Sequence, residues 1–114
     1  MDKRDSVLLN KILDEANTID DLIKSYDCNG FVEDEKTKRA VCMTLINIGE
    51  LVKLLSDNLK RYNSNIPWRS ISGLRDVAAH GYMTLRMEDV WETASKDVPV
   101  LKEQIRTLLR GLIS

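Results

Sequence analysis

The sequence predicts an all-α protein: an up-and-down bundle of four to five helices that forms a homodimer. Three observations carry this prediction. Apolar residues recur at three- and four-residue spacing along most of the chain, the period of one helix face. No stretch alternates with period two for more than a few residues, and no internal repeat is present. Only 5 Gly and 2 Pro interrupt 114 residues, so long helical segments meet few breakers. One domain is expected over 1–114, since single domains commonly run to about 100–150 residues. The apolar supply is generous for so small a bundle, and a burial surplus on the first or second helix would be satisfied by dimerisation.

The first helix is expected over 5–26, where Leu8, Leu9, Ile12, Ala16, Ile19, Leu22, Ile23 and Tyr26 share one broad face and Asp14, Glu15, Asp20 and Asp21 fall largely off it. Cys28, Asn29 and Gly30 should end it. The second helix has the clearest stripe: Val41, Leu45, Ile48, Val52, Leu55 and Leu59 hold heptad-like spacing, which predicts at least five turns from about 34–37 to Tyr62 and Asn63. Gly49 within it costs about 1 kcal/mol relative to Ala, which a close helix crossing would explain. A third helix starts at Asn65-Ile66-Pro67-Trp68, since Pro is tolerated in a first turn. Ile71, Leu74, Val77 and Ala78 carry it to about His80, with Gly81 as a stop. Thr84 is a candidate cap for the last segment, whose apolar line runs from Met87 through Ala94 to Leu112. Pro99 interrupts that line, with Asp97 placed to cap a restart, so a break or kink is expected there.

With 17 basic and 18 acidic residues the formal charge is −1, which excludes a bulk polycation. A nucleic-acid contact must then come from a local patch or from pairing with a second copy. Two cysteines, Cys28 and Cys42, set no disulfide framework, and CxxC is absent. No apolar run approaches the length of a membrane span and nothing reads as a signal-peptide core. The expectation is a cytoplasmic protein that does not engage a membrane.

Chemistry concentrates in Arg75-Asp76-Val77-Ala78-Ala79-His80-Gly81-Tyr82. At about 100° per residue, Asp76 and His80 lie one turn apart on one face, so the carboxylate could fix the imidazole's tautomer. Arg75 projects about 140° from His80, and the helix end or a second subunit could close that gap. Tyr82 should lie at or beyond the helix terminus, where its hydroxyl could turn back toward His80. Arg69, Arg75 and Arg86 against Asp76 alone leave 69–86 with two excess positive charges. An Arg fork suits phosphoryl oxygens and a His moves protons near neutral pH. Beside RNA, the pair suits cleavage by the RNA's own 2′-hydroxyl, His80 assisting proton transfer and Arg75 stabilising the phosphorane oxygens. The residues alone also admit a structural histidine and a salt-bridging arginine. Trp68 and Trp91 read as core or interface anchors. Lys36, Lys38 and Arg39 read as a solvated first-turn face able to touch phosphates, and Glu33, Asp34 and Glu35 suit a helix start.

Arg75-x4-His80-x-Tyr82 resembles the signature of the HEPN superfamily with the added tyrosine of its HepT-like toxins. Ile48-Gly49-Glu50, Ile66-Pro67-Trp68-Arg69, Ile71-Ser72-Gly73-Leu74-Arg75-Asp76, Val90-Trp91-Glu92 and Asp97-Val98-Pro99-x-Leu101 are similar to that family in the same order, so the resemblance spans about 5–112. It implies an all-helical homodimer that cuts RNA without metal or cofactor, Arg75 and His80 of both subunits meeting at the dimer cleft. It further implies the toxin of a type VII-like toxin–antitoxin pair, partnered by an MNT-type nucleotidyltransferase that transfers AMP onto Tyr82 and so silences it. Transfer RNA is one substrate class this admits. Many members carry Asn where this chain carries Asp76, an acceptor-only charge beside the incoming phosphate. The alternative is a weakly active or inactive helical partner of a nucleotidyltransferase, with Arg75 and His80 binding nucleotide.

Overall fold

A computed structural model describes residues 2–113, with the side chains of all of these except 75–78, 80, 112 and 113. Among the described residues the chain is all-α and contains no strand. Four long helices form the bundle: α1 (Lys3–Ile23), α3 (Glu35–Leu54), α5 (Trp68–Gly81) and α7 (Val98–Ile113). Three six-residue helices accompany them: α2 (Cys28–Glu33), α4 (Asp57–Tyr62) and α6 (Met87–Glu92). α3 is central, packing on α1 and on α5, while α1 also packs on α7. No helix among the described residues is long and apolar enough to cross a membrane.

The stripes predicted on the first two helices and on the C-terminal segment supply most of the core, while the predicted Val77, Ala78 and Leu112 have side chains outside the described residues. Leu9, Ile12, Ala16 and Ile19 of α1 meet Val41, Leu45, Ile48 and Val52 of α3 and Ala94, Val98, Leu101 and Ile105 of the C-terminal segment, all buried. Among the described residues no buried side-chain nitrogen or oxygen lacks a partner. Gly49 is buried in α3. Trp68 is buried and its indole N–H donates to the Asn63 carbonyl at 3.1 Å. Trp91 is half-buried against Phe31.

Four boundaries differ from the periodicity, each with a local cause. α1 stops at Ile23, and Cys28-Asn29-Gly30 opens α2 instead of closing a helix, because the Asp27 side chain accepts the Gly30 N–H and caps it. The long stripe is cut into α3 and α4: Leu55 turns extended (φ −63°, ψ 147°) and Ser56 caps the restart, while Leu55 and Leu59 stay in phase and buried. Thr84 caps nothing; its hydroxyl donates to the Gly81 carbonyl and closes a 3₁₀ turn over Tyr82–Thr84. At Pro99 the expected break takes the form of a wide helical turn rather than a restart. Thr93–Asp97 form a π-helical turn in which the Val98 N–H bonds the Thr93 carbonyl, five residues back, so Asp97 lies within continuous helix and caps no restart. The wide turn absorbs the donor and the space that Pro99 denies an α-helix. Gly81 ends α5 at φ −121°, a conformation open to any residue.

Candidate functional site

α5 delivers the motif to the N-terminal end of α3. Its backbone carries Arg75, Asp76 and His80, whose side chains, and with them the expected Asp76–His80 contact, lie outside the described residues. Gly81 then hands the chain to the 3₁₀ turn that begins with Tyr82.

Tyr82 stands at the helix end as its position predicts, but its hydroxyl bond runs across the bundle. It donates to Glu35 Oε2 at 2.7 Å. The same oxygen accepts Arg39 Nε at 2.8 Å, and Oε1 faces Lys38 Nζ at 3.2 Å. The Arg39 guanidinium lies over the Tyr82 ring, 4.9 Å from its centroid, within cation–π range. Helix periodicity explains the α3 half of this cluster: residues 35, 38 and 39 are neighbours at i, i+3 and i+4. Asp34 fixes that helix start by accepting the Thr37 N–H at 3.0 Å and the Tyr26 hydroxyl.

These contacts set the protons. The Tyr82 bond, then Lys38, holds the Glu35 carboxyl below its ordinary value. Partial burial, then the bond to Glu35, pushes the Tyr82 phenol up. At neutral pH the proton is on tyrosine and the charge on glutamate. With Lys38 and Arg39 both cationic, the cluster carries one net positive charge. It borders a recess of about 290 Å³ whose other walls include Met83, Leu85 and Met87. Lys38 is largely covered, at 17% side-chain exposure, so it is not the solvated residue its position suggests.

Glu35 and the role of Lys38 and Arg39 are what sequence reasoning missed. Glu35 lies 47 residues from Tyr82. One signal was available: two cations near a helix start gain nothing from its dipole, so something else must hold them. Among the described residues no group of three His, Cys, Asp or Glu is placed to hold a metal ion.

A second recess, about 240 Å³ and almost wholly apolar, lies between α3, α5 and α7 and is walled by Leu45, Ile48, Ile71, Leu74, Val98 and Leu101.

The model of one protein family, Ribonuclease HepT-like, matches residues 12–108. A protein of Caldanaerobacter subterraneus subsp. tengcongensis named "Putative RNase" is 33% identical over 102 residues, 90% of this chain and 91% of that protein. A "Putative RNase" of Methanocaldococcus jannaschii is 31% identical over 113 residues, covering 98% and 97% of the two chains. The "Probable ribonuclease HepT" of Thermococcus cleftensis is 31% identical over 100 residues, covering 88% and 91%. No solved structure matches.

Proposed function

From the premise that this chain belongs to the HepT-like ribonuclease family, we propose that it is a metal-independent endoribonuclease of the cytoplasm, the toxin of a HepT/MNT-type pair. The observation that supports this best is the family match across 12–108, which takes in Arg75, His80 and Tyr82 together with the helices around them.

In this reading a homodimer presents two copies of Arg75 and His80 to one RNA strand. The 2′-oxygen attacks the adjacent phosphorus, the bond to the 5′-oxygen breaks, and a 2′,3′-cyclic phosphate and a 5′-hydroxyl result. His80 moves the protons, a role for which histidine is the usual side chain. Arg75 donates to the phosphorane oxygens as their charge grows, a role for which a planar fork is suited. Asp76 orients His80. Transfer RNA is a candidate substrate. Tyr82 accepts AMP from an MNT-type nucleotidyltransferase, and the adduct blocks the cleft. Tyr82 is half-exposed at the rim of an open recess, as an acceptor must be.

The test is cleavage of total RNA in chelator by protein whose intact mass shows no adduct. Wild type should cut; His80→Ala and Arg75→Ala should not, while keeping helicity and dimer mass. Cleavage retained in His80→Ala would overturn that assignment. No cleavage by the unmodified dimer would favour an inactive partner of the nucleotidyltransferase.

A further inference from the structure

We propose that Glu35 is the proton acceptor for Tyr82 when its Oη attacks a nucleotide phosphorus, and that Lys38 and Arg39 hold the arriving phosphate. This rests on the reading of Tyr82 as an AMP acceptor and adds to it the residues of this chain that prepare the acceptor.

The geometry separates Tyr82 from the other tyrosine bound to a carboxylate. Tyr26 also donates to an acid at the start of α3, Asp34, but that acid is committed to capping: it accepts the Thr37 N–H, and the Thr37 hydroxyl in turn donates to Tyr26 Oη at 3.2 Å. Tyr82 has Glu35, which caps nothing, and the bond opens onto a recess bordered by two cations. The phenol is neutral at physiological pH and must lose its proton on forming a phosphodiester; the ionised carboxylate 2.7 Å away is placed to take it. The recess, about 290 Å³, is at the small end of ligand pockets, roughly 300 Å³, which suits one nucleotide.

The step balances. With a nucleoside triphosphate and the transferase, the Tyr82 Oη–Pα bond forms, the bond from Pα to the pyrophosphate oxygen breaks, and pyrophosphate leaves. The phenolic proton passes to Glu35 Oε2. That oxygen also accepts Arg39 Nε, so protonation loosens the carboxyl's hold on Arg39 at the moment a phosphate charge appears beside it. After the proton reaches water, two anions and two cations share the recess, where one anion and two cations stood before. The adduct is thus held by the same cations that the carboxylate held.

Two measurements on the full chain test this. The first is the initial rate of AMP incorporation at Tyr82, by peptide mass mapping, with the partner nucleotidyltransferase, ATP and magnesium. Glu35→Gln keeps size and polarity but not basicity and should lower the rate on the order of 10²-fold, the low end for a positioned proton acceptor. Glu35→Asp should restore part of it. Arg39→Gln should raise the KM for modification more than it lowers kcat. The second needs no partner: an adenosine bearing an aryl sulfonyl fluoride at its 5′ position should label Tyr82 faster than Tyr62, which is 85% exposed and serves as an internal control. Glu35→Gln should erase that preference with helicity unchanged. A Glu35→Gln variant modified at the wild-type rate, or a Tyr82 labelling rate equal to that of Tyr62, overturns the inference. Absence of AMP on wild-type Tyr82 despite Glu35-dependent labelling overturns the acceptor reading itself, and the label tells the two failures apart.

Discussion

Asp5 and Ser56 are joined twice: one Asp5 oxygen accepts the Ser56 backbone N–H at 2.9 Å and the other accepts its hydroxyl at 2.6 Å. Asp5 is only 2% exposed, so these bonds are its solvation. The Ser56 hydroxyl also accepts the Leu59 N–H at 3.2 Å, which lets one side chain cap α4 and fasten it to the first turn of α1. Asp5→Ala strands the partly buried Ser56 N–H and removes a charged acceptor; it should cost about 1–3 kcal/mol. Ser56→Ala should cost less, about 1–2 kcal/mol. A double-mutant cycle from urea unfolding should show coupling above about 0.5 kcal/mol. Additive effects would mean the two residues do not act through each other.

The same pair explains what the sequence could and could not tell. The stripe from Val41 to Leu59 is legible because burial enforces the spacing. The break within it is not, because Leu55 and Leu59 remain in phase across it and the residue that supports the break, Asp5, lies 51 positions away. The C-terminal line is legible as helix interrupted near Pro99, but apolar spacing does not show that the interruption is a π turn. At the candidate site, the place of Tyr82 at the end of α5 is legible because Gly81 precedes it. Glu35 is not, because only the docking of α5 on α3 brings it to Tyr82.

Phe31 anchors α2, the helix that periodicity did not reveal. It is fully buried, and its ring lies 5.4 Å from that of Trp91 at a 43° tilt. Phe31→Ala removes both the buried ring and the partner of Trp91 and should destabilise by about 3–5 kcal/mol. Phe31→Leu keeps most of the volume and should cost about half as much or less. Thermal melts of both variants check this. Equal losses would show that the aromatic contact, not the filled volume, holds α2.

The two thiols should react in order. Cys42 is buried in α3 and burial pushes its thiol up, which keeps the nucleophilic thiolate scarce. Cys28 is partly exposed at the start of α2. Iodoacetamide at neutral pH should label Cys28 in the folded protein and reach Cys42 only on unfolding, as read by peptide mass. Early labelling of Cys42 would mean that the α3 core opens far below the global unfolding free energy.

Stability should fall at both ends of the pH scale, for opposite reasons. Glu35 and Asp34 are held low, chiefly by the phenols of Tyr82 and Tyr26. Their contribution is present above the unfolded carboxylate values, about 4, and is lost as pH falls through the lower folded ones. Tyr82 and Cys42 are pushed up, chiefly by burial. Their contribution is intact below the unfolded values, about 10 and 8.5, and is lost as pH rises through the folded ones. Urea midpoints should therefore hold level between about pH 5 and 8 and drop on either side. Tyr82→Phe should flatten part of both limbs, because it removes the phenol and the strongest donor to Glu35. Unchanged limbs in that variant would mean the Tyr82–Glu35 bond adds nothing in solution.

Asp76 offers a last test of the proposed chemistry, since it precedes His80 by one helical turn in α5. A carboxylate that reaches the imidazole from that spacing favours the imidazolium, and it also repels an RNA phosphate. Asp76→Asn removes both effects at once, but they appear in different constants. If His80 acts as a base and Asp76 holds its proton, the variant moves the acid limb of the kcat profile to lower pH. Weaker repulsion lowers KM at every pH. A shifted limb with a lower KM is the expected outcome and assigns Asp76 to the imidazole. A lower KM with an unmoved limb would make Asp76 a charge that RNA meets, with His80 oriented by something else.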